Sequence, residues 1–300
     1  MLGYACINMT LAKDKVSTNR SMIKKTFLER GIPYASELAL LNVKDLEKII
    51  QWNVENDIKF FRMSSDIFPW ASEYDIYSLP NIEEIREILS RIGVYVKHHG
   101  VRLTAHPGPF NVLGSPKPEV VKNTITDLEN HAKVFDMIGL GLTPYNKLNI
   151  HCNGTYGNKE ETMERFCKHF ELLSDSVKMR LTIENDDKAN MYSVKDLMFI
   201  HERIGIPIVF DYHHHQFCTG GLSEKEALEL AISTWPDGIT PIVHYSSSKQ
   251  KETGDPKEKP QAHSDYILEK INTYDKKIDI MLECKAKELG LLEYIKIYGS

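Results

Sequence analysis

The sequence predicts a TIM barrel, a closed ring of eight β/α units forming a single domain over residues 1–300. Short apolar or β-branched runs alternate with longer amphipathic stretches eight times, without a compositional break. No GxGxxG follows the first strand run, so the rival doubly wound sheet lacks its dinucleotide fingerprint. The length of 300 residues exceeds an ordinary domain but suits one barrel, which commonly runs to about 250 residues or more.

The strand runs are LGYACIN (2–8), IKFFRMS (58–64), VRLTAH (101–106), KLNIHC (147–152), RLTIEN (180–185), IPIVFD (206–211), TPIVHY (240–245) and IDIMLEC (278–284). Each is short, β-rich and bounded by polar or turn residues. Between them, 43–56, 81–99, 119–138 and 159–173 carry apolar residues at helical spacing. Two polar loops stand out, 13–31 after the first strand and 249–261 after the seventh, both with more bases than acids. Each belongs at the C-terminal mouth of a barrel, where it is either a solvated loop or a phosphate contact.

Composition narrows the function classes. With 42% hydrophobic and 26% charged residues the chain reads as globular, and no apolar run approaches the ~20 residues of a membrane span. No membrane partner is expected. The opening MLGYACINMT lacks the basic and apolar regions of a signal peptide, so a cytoplasmic location is the expectation. A monomer is expected as well. Five cysteines without CxxC spacing exclude a disulfide framework and a zinc ribbon. A net charge of −5 means that any contact with nucleic acid must use a local basic face.

The informative pattern lies at the ends of the strand runs, each of which finishes at or near a polar side chain: Asn8, Arg62, His106, His151, Glu184, Asp211, His244 and Glu283. A TIM barrel gathers its C-terminal strand ends around one site, so these distant residues face one another. Their mixed nitrogen and oxygen donors suit Mn²⁺, Zn²⁺ or Fe²⁺ better than Mg²⁺ or Ca²⁺. One catalytic ion takes about three protein ligands, so this many candidates imply two or three ions. Paired ions serve phosphodiester cleavage, and sugar isomerases on the same barrel use them too. The histidines at 98, 99, 131, 169 and 201 fall in helical patterns and are expected at the surface. Cys152 and Cys284 follow ligand candidates directly, and the period of two along a strand turns them outward to pack.

These residues resemble the UV damage endonuclease family, relatives of the endonuclease IV apurinic-site nucleases. The matching segments are LGYACIN, FRMSSDIFPWAS (61–72), RLTAHPG (102–108), NIHCNGTYGNKEETMERF (149–166), LTIENDD (181–187), FDYHHHQF (210–217), IVHYSSS (242–248), AHSDYI (262–267) and MLECKAKE (281–288). The resemblance implies that His106, His151, Glu184, Asp211, His214, His244, His263 and Glu283 bind up to three divalent ions, Mn²⁺ favoured. His214 and His263 come from the resemblance, since alternation along the strand points to His213. It also implies a double-stranded DNA substrate nicked immediately 5′ of pyrimidine dimers or (6-4) photoproducts, with abasic sites as a further class. Metal-bound hydroxide would attack phosphorus, with Glu184, His244 and Glu283 in the catalytic group. Lys285, two residues after Glu283, joins that group as a phosphate-stabilising cation if the strand continues, and is otherwise a residue turned out into the loop. Tyr4 and Asn8 resemble lesion-pocket residues, and Arg62, Lys159 and Lys249 are placed as DNA contacts.

Three positions depart from the family pattern. HPGQY becomes HPGPF, so Pro109 and Phe110 stand where a Gln-Tyr pair probes the duplex. The lysine two residues before the strand-seven histidine, reported to be carboxylated in the family, is Ile242, which cannot be so modified; Lys249 is a candidate replacement. A histidine often follows the PxxS stretch after strand two, where Glu73 stands here as an oxygen donor to metal or a loop carboxylate. The competing readings are a sugar isomerase or epimerase with two ions and a metal- or DNA-binding scaffold without activity.

Overall fold

The computed structural model describes residues 1–299. Its eight strands close into a parallel barrel in chain order: β1 (Leu2–Ala5), β2 (Phe60–Met63), β3 (Arg102–Ala105), β4 (Leu148–His151), β5 (Leu181–Glu184), β6 (Ile208–Asp211), β7 (Ile242–Tyr245) and β8 (Asp279–Leu282). The fold is the one expected from the alternation. Each strand is shorter than its apolar run, because in a tilted, closed sheet only the middle of a run pairs with both neighbours. Of the helices, Ile82–His99 and Pro118–Ile138 lie within a residue of expectation. None of the described helices is long and apolar enough to cross a membrane.

The segment 13–31, expected as one loop, is a loop only to residue 23. From there the chain is helical over Lys24–Glu55, interrupted at Gly31, whose φ of 65° is unfavourable for any side-chain-bearing residue. Pro33, just beyond the break, suits the start of a new helical run because its missing N–H has no partner there anyway.

The period of two sorts every strand into an outward and an inward set. Outward residues such as Phe61, Leu103, Ile150, Ile183, Phe210, Val243 and Leu282 join the large core between sheet and helices. Inside the barrel, Ala5, Phe60, Val209, Ile242 and Met281 form a smaller apolar cluster. Thr104, Lys147, Asn149 and Thr182 line the rest of the interior with buried polar groups. The floor is closed by Arg102, whose Nη1 lies 2.6 Å from Asp279 Oδ2 and whose Nε donates to the Tyr145 carbonyl at 2.7 Å. With the floor sealed, the inward positions at the opposite end form the rim at which the interior set meets the loops.

Candidate metal centre

Glu184, the last residue of β5, is the hub, and it is almost completely buried. Its Oε2 lies 3.2 Å from His106 Nε2, 3.8 Å from His151 Nε2 and 3.0 Å from His244 Nδ1. Its Oε1 lies 3.3 Å from His214 Nδ1. Asn149, one inward step below His151, donates to the same carboxylate through Nδ2. Glu283 completes the other side, with Oε1 3.2 Å from His244 Nδ1 and Oε2 3.8 Å from His263 Nδ1.

Two sets of ligand atoms are close enough to share an ion. They are His106, His151 and Glu184, and Glu184, Asp211 and His244, each with its ligand atoms within 4.8 Å of one another. Asp211 Oδ2 and His244 Nδ1 are buried without a hydrogen bond. Leaving such atoms unpaired is costly unless a ligand takes them, and their donor types are those of Mn²⁺ or Zn²⁺. The residues therefore fit a divalent-ion cluster.

Three of the far ring nitrogens are also spoken for. His106, His214 and His263 each donate Nδ1–H to a backbone carbonyl, of Pro107 at 3.2 Å, Asn185 at 2.9 Å and Glu283 at 2.9 Å. His151 Nδ1 lies 3.2 Å from Asp186 Oδ1 and, like His244 Nδ1, is buried without a hydrogen bond. This turns Nε2 of His106 and His151 toward Glu184 Oε2, the arrangement that orients a ligating imidazole. His244 is reversed, with Nδ1 toward the carboxylates and Nε2 3.0 Å from Lys147 Nζ.

Charge follows from this crowding. Burial works against the carboxylates, but His244 and His151 hold Glu184 well below the usual range, and Arg62 and His244 do the same for Glu283. Asp211 lacks such a majority of cations, and burial pushes it up to about 6. Burial opposes charge on His214, yet Asp211, Glu184 and Glu283 outweigh it and raise the ring to about 9. His244 drops to about 4 through burial, and Lys147 drops to about 7 for the same first reason.

The sequence expectations divide here. His106, His151, Glu184, Asp211, His214, His244, His263 and Glu283 converge. His214 arrives because β6 ends at Asp211, whose side chain accepts the His214 N–H at 2.8 Å and caps the turn Tyr212–His215. His213 and His215 are both buried.

Other placements differ from expectation. Tyr4 and Asn8 are core residues: β1 stops at Ala5, before Cys6 at a φ of 72°, and Tyr4 points outward to donate to Asn53 Oδ1 at 2.6 Å. Asn8 donates to the Tyr4 hydroxyl at 2.9 Å and caps the turn Met9–Ala12, so neither offers a surface to a lesion. Arg62 is ion-paired to Glu283 rather than open to phosphate. Lys249 is held by Glu252 at 2.7 Å and Asp265 at 2.8 Å, so it does not take over the position at Ile242. Lys159 pairs with Asp196 at 3.1 Å. Lys285 lies past β8 as an exposed loop residue, with no side-chain hydrogen bond or ion pair among the described residues. Glu73 is exposed and outside both ligand sets, but it lines a cavity of about 700 Å³ with His106, Pro109 and Phe110. Phe110 stands 64% exposed at its lip. His131, expected at the surface, is buried with Nδ1 2.8 Å from the Asp127 carbonyl.

Lys147, Asn149 and Asp186 were not anticipated. Counting back from His151 in steps of two finds the first two, whereas Asp186 lies beyond its strand and leaves no periodic signal.

Comparison with known proteins agrees with this geometry. The family model described as "UV-endonuclease UvdE" matches residues 1–299. The UV-damage endonuclease of Schizosaccharomyces pombe is 36% identical over 99% of this chain, which spans about half of that protein's length. The crystal structure of SacUVDE superposes with a TM-score of 0.84 at 32% identity, covering 99% of this chain and 96% of the other. Endonuclease IV from Thermus thermophilus matches with a TM-score of 0.56 at 12% identity, over 99% of this chain and 97% of the other, which shows the shared barrel alone.

Proposed function

Because this chain belongs to the UV-endonuclease UvdE family of DNA-repair nucleases, we propose that it nicks double-stranded DNA immediately 5′ of pyrimidine dimers and (6-4) photoproducts. Abasic sites form a second substrate class. The chain would act as a monomer on chromosomal DNA in the cytoplasm. Two or three divalent ions, Mn²⁺ favoured, would be held by His106, His151, Glu184, Asp211, His214, His244, His263 and Glu283. The observation that carries this reading is the convergence of these eight side chains at one rim, with buried ligand atoms of Asp211 and His244 left unpaired.

Bound ions would supply charge neutralisation at the phosphate and a water acidified for attack. The protein's part is to hold the ligands rigid and open the duplex. Arg62 locks Glu283, Asn149 locks Glu184, and the carbonyls behind the histidines fix their rings. Phe110, exposed beside the cavity, would stack in a base step that damage has already weakened. Lys285, exposed just beyond β8, is assigned to the scissile phosphate as a supporting cation.

Incubation with UV-irradiated and untreated supercoiled plasmid, with Mn²⁺ or EDTA, tests the reading. Nicking confined to irradiated plasmid and Mn²⁺ is expected, and its absence with every divalent metal would refute it. His151→Ala and Glu283→Ala should abolish nicking in folded protein, whereas His98→Ala, on an exposed helix end, should leave it unchanged.

A further inference from the structure

Three cations expected to hold DNA are engaged within the protein: Arg62 by Glu283, Lys159 by Asp196 at 3.1 Å, and Lys249 by Glu252 and Asp265. A chain of net charge −5 still needs a local basic face to meet a polyanion. Residues 13–31 concentrate that charge. They hold six Lys/Arg against two acids, Asp14 and Glu29, a balance of +4 that leaves −9 for the remainder of the chain. The other polar loop, 249–261, sets four lysines against three acids. At physiological salt, charges farther off than about 8 Å are largely screened, so an approaching phosphate responds to the segment it meets rather than to the net charge.

The segment follows β1, whose C-terminal end lies at the rim. Two buried side chains of the helix Lys24–Glu55 fix its course. Asn42 accepts the Arg20 N–H at 3.0 Å and donates to the Arg20 and Ile67 carbonyls at 3.0 and 3.1 Å. Asp45 accepts the Ser17 N–H at 3.0 Å and pairs with Arg20 Nη2 at 2.6 Å. Arg20 Nη2 also donates to the Lys15 carbonyl at 2.8 Å, and Lys15 is held at a φ of 63°, a left-handed conformation. Lys25 lies 3.9 Å from Glu29, and Arg30 lies 3.8 Å from Glu37. Lys13, Lys15 and Lys24 are exposed and form no ion pair among the described residues. Asn19 lines the cavity of about 700 Å³ together with His106 and Phe110. The Met22 carbonyl accepts the Nε1–H of Trp70, another wall residue, at 2.8 Å. The three free ammonium groups therefore belong to a pinned segment that borders the cavity beside the centre.

We propose that this segment grips the phosphate backbone of duplex DNA through Lys13, Lys15 and Lys24. The inference rests on the reading of the chain as a DNA nuclease and adds where the duplex backbone is held. Because the segment is fixed before binding, little ordering entropy opposes the contact. Because phosphates are the same at every step, the grip is indifferent to sequence and damage, and selection is left to the rim.

Nicking of UV-irradiated plasmid at fixed Mn²⁺ over a range of NaCl concentrations tests the proposal. Each phosphate contact on B-form DNA contributes about 0.9 to the slope of log affinity against log salt concentration. The triple variant Lys13→Gln, Lys15→Gln, Lys24→Gln should therefore flatten the slope of log kcat/KM by about 2.7, with kcat at saturating DNA unchanged. A wild-type slope in the folded variant would overturn the proposal. So would the same flattening per lysine in Lys97→Gln, an exposed residue in the last turn of the helix Ile82–His99, just before β3 begins. If the triple variant does not fold, Lys24→Gln alone decides: a flattening of about 0.9 supports the grip, and none overturns it. If the wild type nicks with no divalent metal present or absent, the nuclease reading fails separately. Fluorescence anisotropy with an untreated duplex then judges the segment, where the same flattening supports it and an unchanged slope or no binding overturns it.

Discussion

Glu184 faces four histidines, and the protons on those rings decide how the centre takes up metal. His214 is raised to about 9 and Asp211 to about 6, so at neutral pH the metal-free site carries a proton on His214. A ligating nitrogen must lose its proton, so binding releases it and affinity falls as pH drops below about 9. Below about 6, protonation of Asp211 weakens binding further. Calorimetry in buffers of different ionisation enthalpy should therefore detect proton release on Mn²⁺ binding at about pH 7–8. Buffer-independent heats would contradict the assignment of His214 as a ligand. Six of the proposed ligands, His106, His151, Glu184, Asp211, His244 and Glu283, were legible from their places at strand ends. His214 and His263 were not, since each reaches the rim through a turn or a bridge that no periodicity encodes.

Among the elements, the loops after the strands decide what the rim can touch. The loop after β3 is pinned by Asn153 Nδ2, which donates to the Pro109 and Asn111 carbonyls at 3.2 Å each, so the exposed Phe110 is held between two fixed neighbours. A ring on so constrained a loop loses little entropy when it stacks. Phe110→Ala should lower affinity for irradiated duplex by about 1–3 kcal/mol, the usual worth of base–aromatic stacking, while leaving Mn²⁺ affinity unchanged. Electrophoretic mobility shift in EDTA, paired with metal calorimetry, reads the two separately. The loop after β1 behaves in the opposite way. LGYACIN reads as one strand to Asn8, but the positive φ of Cys6 ends it early and sends Tyr4 and Asn8 into the core.

Across the whole molecule, the barrel is held shut at the end remote from the rim. Arg102 bonds Asp279 and the carbonyls of Tyr145 and Thr240, and Met1 N lies 2.6 Å from the other Asp279 oxygen. The pair links β3 to β8 across the interior in a fully buried setting. Removing one partner strands the other charge, so Arg102→Met should destabilise the fold by about 3–5 kcal/mol in denaturant titration. The surviving folded protein should bind Mn²⁺ as the wild type does, because the floor lies away from the ligands. The sugar isomerase reading would use the same barrel and a similar donor set, so the fold could not exclude it; the family match along residues 1–299 does.

The order of eight strands, the closed architecture and the convergence of strand-end ligands were determined by the sequence alone. All three follow from period: two along a strand, 3.6 along a helix, and one rim where eight parallel strands end. The tertiary structure decided which nitrogen of each histidine faces the centre, that Arg62 belongs to Glu283, and that Lys249 is held by acids. It also decided that Lys147 crosses the interior to His244. Those relations join residues far apart in the chain through side-chain directions, and closure of the barrel is what brings them within hydrogen-bonding distance.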